Sequence, residues 1–202
     1  TASTRAFTKS SKDSPELSAS LAMGIVVAST IMLGRVWVLV YALNRELGEA
    51  SLIPLLVMGI PSAVFIVYRQ WKSRSAKESV DAPTLSNPLS LKTAIKFALI
   101  YAVVALFVKW TGQGGSQAGF YPVAFLSGLT DMDAIALSLA SEYQNASNLI
   151  PMAARGVVLA AVANTLFKMG FALSLGSKAL RISILIGMAP MAVVGAAAIF
   201  LV

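Results

Sequence analysis

The stretch FYPVAFLSGLTDMDAIALSLA, residues 120–140, decides what kind of fold this chain can adopt. The hydrocarbon core of a bilayer is about 30 Å thick and needs about 20 mostly apolar residues per helix. This run has that length, and Asp131 and Asp133 are its only ionisable carboxylates. Working outward, five further runs of similar character follow the same rule: residues 17–43, 51–68, 91–110, 151–175 and 179–202. The expected fold is therefore all-α, a polytopic transmembrane bundle of six spans forming one domain over 1–202. Span four is expected at its centre.

Composition agrees. Of 202 residues, 57% are hydrophobic and 12% charged, against roughly 45–50% and about 25% in soluble domains. Mean hydropathy is +0.76. With no Cys and no His, disulfides, thiolate or imidazole metal ligands, and Ser-His or Cys-His catalysis are excluded. No nucleophile–base pair stands out, so an enzyme is not expected, and no cofactor is implied. The net charge of +7 would suggest nucleic acid in a soluble protein. In a membrane protein it first reports topology, because cytoplasmic loops collect Lys and Arg.

Counting by alternate sides places Arg5, Lys9, Lys12, Arg69, Lys72, Arg74, Lys77, Lys92, Lys96 and Arg155 together. Arg45, Lys109, Lys178 and Arg181 fall opposite, and Arg35 and Lys168 lie inside spans. The first side should be cytoplasmic, with 69–90 as the cytoplasmic loop and both termini on that side. Nucleic acid then needs no place among the partners; the bilayer is the partner. Pro54, Pro61 and Pro190 should kink their spans, and GQGGSQAG at 112–119 reads as a flexible turn.

An offset of 132 residues sets LSASLAMGIVVAS (17–29) against LIPMAARGVVLAA (149–161), a candidate parallel repeat of spans one and five. The chain opens at Thr1 without Met. Either an initiator was removed, or a portion precedes Thr1; the repeat, whose partner for span four would lie upstream, favours the second.

Ionisable side chains inside a span are costly and mark functional sites by default. Asp131 and Asp133 would sit about 200° apart on a regular helix; a break at Gly128 or Thr130 would let both converge with Ser127 and Thr130. On span five, Gly156, Ala160, Asn164 and Lys168 follow at four-residue spacing, combining a close-packing stripe with an amide and an ammonium. Ser20, Gly24 and Ala28 repeat the small stripe on span one, ahead of Arg35, so spans one and five are expected to pack through small residues. The expected site is Asp131, Asp133, Thr130, Ser127, Asn164, Lys168 and Arg35. It would serve as a pathway for a proton, for a hard cation such as Na⁺ or Mg²⁺ held by oxygen ligands, or for a small solute. The competing expectation is a regulatory or scaffold subunit whose buried charges fix helix assembly.

The strings SGLTDMDAIALS and ANTLFK, within NPLSLKTAIKFALIYAVVALFVKW (87–110), YPVAFLSGLTDMDAIALSLA (121–140) and LAAVANTLFKMGFAL (159–173), resemble the membrane domain known as domain of unknown function 4010. The opening TASTRAFTKSSKDSPELSASLAMGIVVASTIMLGRV is similar to its N-terminal stretch, so the resemblance covers nearly the whole chain. It implies a bacterial inner-membrane protein, the C-terminal half of MgtC/SapB-type proteins. The implied partner is an N-terminal MgtC-like membrane portion or further copies of the chain in a homo-oligomer. MgtC-type proteins are associated with magnesium-limited growth and with regulation of membrane ATPases, an association carried by the other half. The resemblance brings no activity of its own.

Overall fold

A computed structural model describes residues 4, 7, 8, 18–73, 99, 101–103, 106 and 117–202. The described residues are helical, without strands. The principal elements are α1 (Ser18–Leu43), α2 (Arg45–Ser73), α3 (Gln117–Thr130), α4 (Met132–Glu142), α5 (Ile150–Leu175) and α6 (Lys178–Ala198). Single 3₁₀ turns precede α5 and follow α6, at Ser147–Leu149 and Ile199–Leu201. Among the described residues, four helices are long and apolar enough to cross a membrane: Ser18–Leu43, Arg45–Trp71, Ser147–Leu175 and Lys178–Leu201. Their outer faces expose Ile31, Val38, Ile53, Leu56, Val64, Val67, Ile186 and Val193. Water would leave so continuous an apolar surface unsolvated and lipid would not; this is a multi-pass membrane protein.

Side-chain pairs fix the direction of each helix. At one end of the bundle the Ser18 and Ser177 hydroxyls meet at 2.7 Å, beside Arg69, which donates to Ser183. At the other end Asn44 donates to the carbonyl of Tyr143 at 3.1 Å, and Arg155 donates twice to the carbonyl of Val202. So α1 runs from the Ser177 end to the Tyr143 end, α2 returns, and α5 and α6 repeat the excursion in the opposite sense. The parallel repeat is thus not what the bundle contains: α1 and α5, which carry the matched stretches, run antiparallel.

Residues 120–140 depart furthest from expectation. They form no single span but a helical hairpin. The Phe120 ring on α3 lies 6.3 Å from the Tyr143 ring just past α4, and a Cβ at Gly156 of α5 would meet both Phe120 and Leu139. Twenty-three residues of straight helix would separate Phe120 and Tyr143 by about 34 Å. The chain therefore enters at the Tyr143 end, turns at Asp131 and leaves at the same end. Ser18 lies at the end opposite Val202, whereas the six full crossings expected would put both on one side. Most of span three (91–110) and of the loop 69–90 lies outside the described residues, though α2 extends that side to Ser73 and α3 already begins at Gln117, inside the expected turn 112–119.

The centre of the bundle is α5, against which both arms of the fourth hydrophobic run pack. Fourteen of its 26 residues are buried, against eight of 26 in α1. Its Ala, Gly and Val side chains let α2, α3, α4 and α6 all approach. The small stripe expected to meet span one faces the hairpin instead: a Cβ on Gly128 would fall 2.5 Å from the Ala160 carbonyl oxygen, so backbones touch there. Gly24 of α1 is covered by the Phe7 ring. Prolines 54, 61 and 190 are carried within α2 and α6 without ending either helix.

Candidate functional site at the hairpin tip

Asp131 is the pivot. It is extended (φ −150°, ψ 109°) between two helices. Its amide closes α3 by donating to the Ser127 carbonyl at 2.8 Å, and its Oδ1 caps α4 by accepting from the amides of Asp133 (2.9 Å) and Ala134 (3.3 Å). A short acid is a preferred N-cap because it satisfies amides that have no helical acceptor. A second acid, Asp133, in the first turn suits the positive end of the helix. The break expected at Gly128 or Thr130 thus falls at Asp131 itself, and the 200° separation of a regular helix does not apply.

The other polar groups arrive from α1 and α5. Arg35 forms an ion pair with Oδ2 of Asp133. Asn164 donates its Nδ2 to the Gly128 carbonyl at 3.0 Å, which ties the hairpin tip to α5. Lys168 is 5% exposed, and its Nζ donates to the Met32 thioether sulfur at 2.9 Å. Two buried oxygens in this group accept no hydrogen bond, Asp133 Oδ1 and Asn164 Oδ1. Burial without a partner costs such atoms about 1–3 kcal/mol each, so both are poised for a donor.

These side chains surround a cavity of about 160 Å³ lined by Met32, Arg35, Thr130, Asp131, Met132, Asp133, Asn164 and Lys168. Six of the seven residues expected from the sequence meet there. Ser127 does not line it; its carbonyl instead accepts from the Asp131 amide and the Thr130 hydroxyl. Met32 and Met132 were not anticipated, since a scattered methionine carries no charge signal. The cavity lies midway along the helices: Arg35 is nine residues, about 13 Å, from the Asn44 turn, and Lys168 eight residues, about 12 Å, from Gly176; it opens outward at Arg35, whose side chain is 59% exposed. Among the described residues no group of three or more carboxylates converges as a metal site.

Residues 1–176 match the family described as Domain of unknown function (DUF4010). A protein of Aquifex aeolicus (strain VF5), described as uncharacterized, is 30% identical over 182 residues, covering 90% of this chain and 79% of its own. No solved structure matches. The matched segment holds the hairpin, both cationic side chains and Asn164, and ends just after α5. The chain belongs to the DUF4010 family.

Proposed function

We propose that this chain is a translocation unit of a bacterial inner membrane, and that its ligand occupies the cavity at the hairpin tip. The observation that carries the reading is the gathering of two carboxylates, an ammonium, a guanidinium and two unmatched acceptor oxygens at one point midway along an apolar bundle. Polar groups at that depth are costly and line ligand paths. A helix broken within the membrane is tolerated where it borders a cavity. The ligand is a proton, a hard cation such as Na⁺ or Mg²⁺, or a small solute. The chain would bind and pass it without covalent chemistry, so no enzyme activity is proposed.

Purified protein in proteoliposomes tests this. Asp131→Asn should abolish flux while leaving the thermal unfolding midpoint within a few degrees of the parent, and Asp133→Asn, which also loses the pair with Arg35, should abolish flux at a lower midpoint. Asn is as good an N-cap as Asp, so the first variant removes charge without removing the turn. A folded parent that moves no proton, cation or small solute would sink the reading. It would favour the scaffold alternative, which the Arg35–Asp133 link between α1 and α4 supports.

Orientation belongs to the same proposal. The end bearing Ser18 and Ser177 also carries Arg69, Lys178 and Arg181, whereas Arg45 and Arg155 lie toward the other. By the Lys/Arg rule the first end faces the cytoplasm, which puts Val202 on the far side. Alkaline phosphatase fused after Val202 should then be active; an inactive enzyme with a fluorescent GFP fusion would reverse the orientation. An MgtC-like membrane partner and a homo-oligomer are proposed on the family resemblance alone.

A further inference from the structure

What the cavity lacks identifies what it can hold. Its charged lining is Arg35, Lys168, Asp131 and Asp133, two of each sign, so with both acids as carboxylates it is already neutral. Among the described residues α2 and α6 add no charged group to it. Within this neutral set the unmet valences are bipolar. Lys168 has three N–H donors, and the acceptor it has found is a weak thioether. Asp133 Oδ1 and Asn164 Oδ1, the latter on a residue 97% buried (3% exposed), have acceptor sites and no donor.

A bare cation would satisfy the two oxygens, but it would bring a third positive charge beside Arg35 and Lys168. A bare anion would satisfy Lys168, yet leave both oxygens unmatched and stand against two carboxylates. A molecule carrying both an anionic acceptor and a cationic donor meets all three at once and adds no net charge. Resting on the translocation reading, we infer that the occupant is a small zwitterionic amino acid, its carboxylate on Lys168 and its ammonium on Asp133 and Asn164.

Size narrows it further. A volume of about 160 Å³ corresponds to about five waters at roughly 30 Å³ each. That suits the five or six heavy atoms of glycine or alanine; the cavity is open beside Arg35, whose side chain is 59% exposed, so the fit favours a small side chain without walling out a longer one. The Met32 and Met132 side chains at the border offer flexible apolar surface for a methyl group.

The test is uptake by proteoliposomes containing the full chain, using radiolabelled glycine, alanine, leucine and sodium, with proton and magnesium movement followed by dyes. Saturable glycine or alanine uptake, indifferent to a potassium–valinomycin potential, is the expected result. Lys168→Met and Asn164→Leu should each reduce it at least tenfold, the scale of a lost charge-assisted hydrogen bond, and Lys168→Arg should restore part. If Lys168→Met does not fold, the Arg variant carries the comparison: its midpoint should still rise on adding glycine. Movement of sodium, magnesium or protons without glycine or alanine would overturn the zwitterion while leaving translocation standing. Leucine uptake equal to that of glycine would overturn the preference for a small side chain while leaving the zwitterion standing. A folded protein that moves none of these overturns both.

Discussion

The Arg35 guanidinium on α1 pairs with the Asp133 carboxylate on α4 across 98 residues of sequence. The pair joins the first long helix to the returning arm of the hairpin. Removing either partner leaves the other charge uncompensated inside the membrane, whereas removing both leaves none. Arg35→Gln and Asp133→Asn should each lower stability, and the double variant should lose less than their sum. A coupling energy of about 1–3 kcal/mol is expected from unfolding in detergent. Strict additivity would show that the pair contributes nothing to assembly.

The seat of the hairpin depends on the absence of one carbon atom. A Cβ at Gly128 meets backbone atoms of Ala160, which have nowhere to go, whereas one at Gly34 meets nothing within 4 Å. Gly128→Ala should destabilise by about 1–3 kcal/mol and reduce flux. Gly34→Ala should be neutral or gain up to about 1 kcal/mol from helix propensity. Equal midpoints for the two variants would mean that α3 does not lie against α5.

Asn44 does two jobs at the α1–α2 turn. Its Oδ1 accepts from the Leu47 amide at 3.0 Å, capping α2, and its Nδ2 reaches the carbonyls of Ala140 and Tyr143. Asn44→Ala should cost about 1–3 kcal/mol, measured by thermal unfolding. Flux per folded molecule should stay unchanged, since the residue is remote from the cavity.

Tyr143, past the end of α4, ought to make the protein alkali-sensitive. Burial, and secondarily the Glu142 carboxylate, raises its hydroxyl above the ordinary value near 10. A folded pKa above the unfolded one stabilises the neutral form; that contribution is complete below about pH 10 and fades as pH rises through the folded value. The midpoint should therefore fall on going above pH 10. Tyr143→Phe should remove that component of the slope, and at neutral pH it should be tolerated because the hydroxyl has no hydrogen-bond partner. An unchanged slope would argue that the hydroxyl ionises as freely as in water.

Much of the site was legible for one reason: charge is scarce in these spans, so Arg35, Asp131, Asp133 and Lys168 stood out without any structure. Asn164 followed from its place four residues before Lys168. Met32 was invisible because nothing in a sequence says which thioether will face an ammonium. The path of the chain was harder to read. Residues 120–140 have the length and hydropathy of a span, and period and length cannot distinguish one long helix from two short ones. The single local clue was an acid at an N-cap position, Asp131, with a second acid in the following turn. The error in direction then propagated: treating the hairpin as a crossing reversed α5 and made the 132-residue match look parallel. The Gly156–Ala160 stripe was correctly read as a packing surface, but its partner is the hairpin, since facing helices are chosen by topology and not by the stripe.

The turn at Asp131 also bears on how the protein is made. The arms of 14 and 11 residues reach about 21 and 16 Å, short of the roughly 30 Å that a segment needs to be held across the bilayer by itself. As they leave the ribosome, Arg35 of α1 is already in place, but the helix that will cradle the tip, α5, has yet to be synthesised. The hairpin can take its final seat only once α5 has been made, so the site at its tip is completed late in the synthesis of the chain.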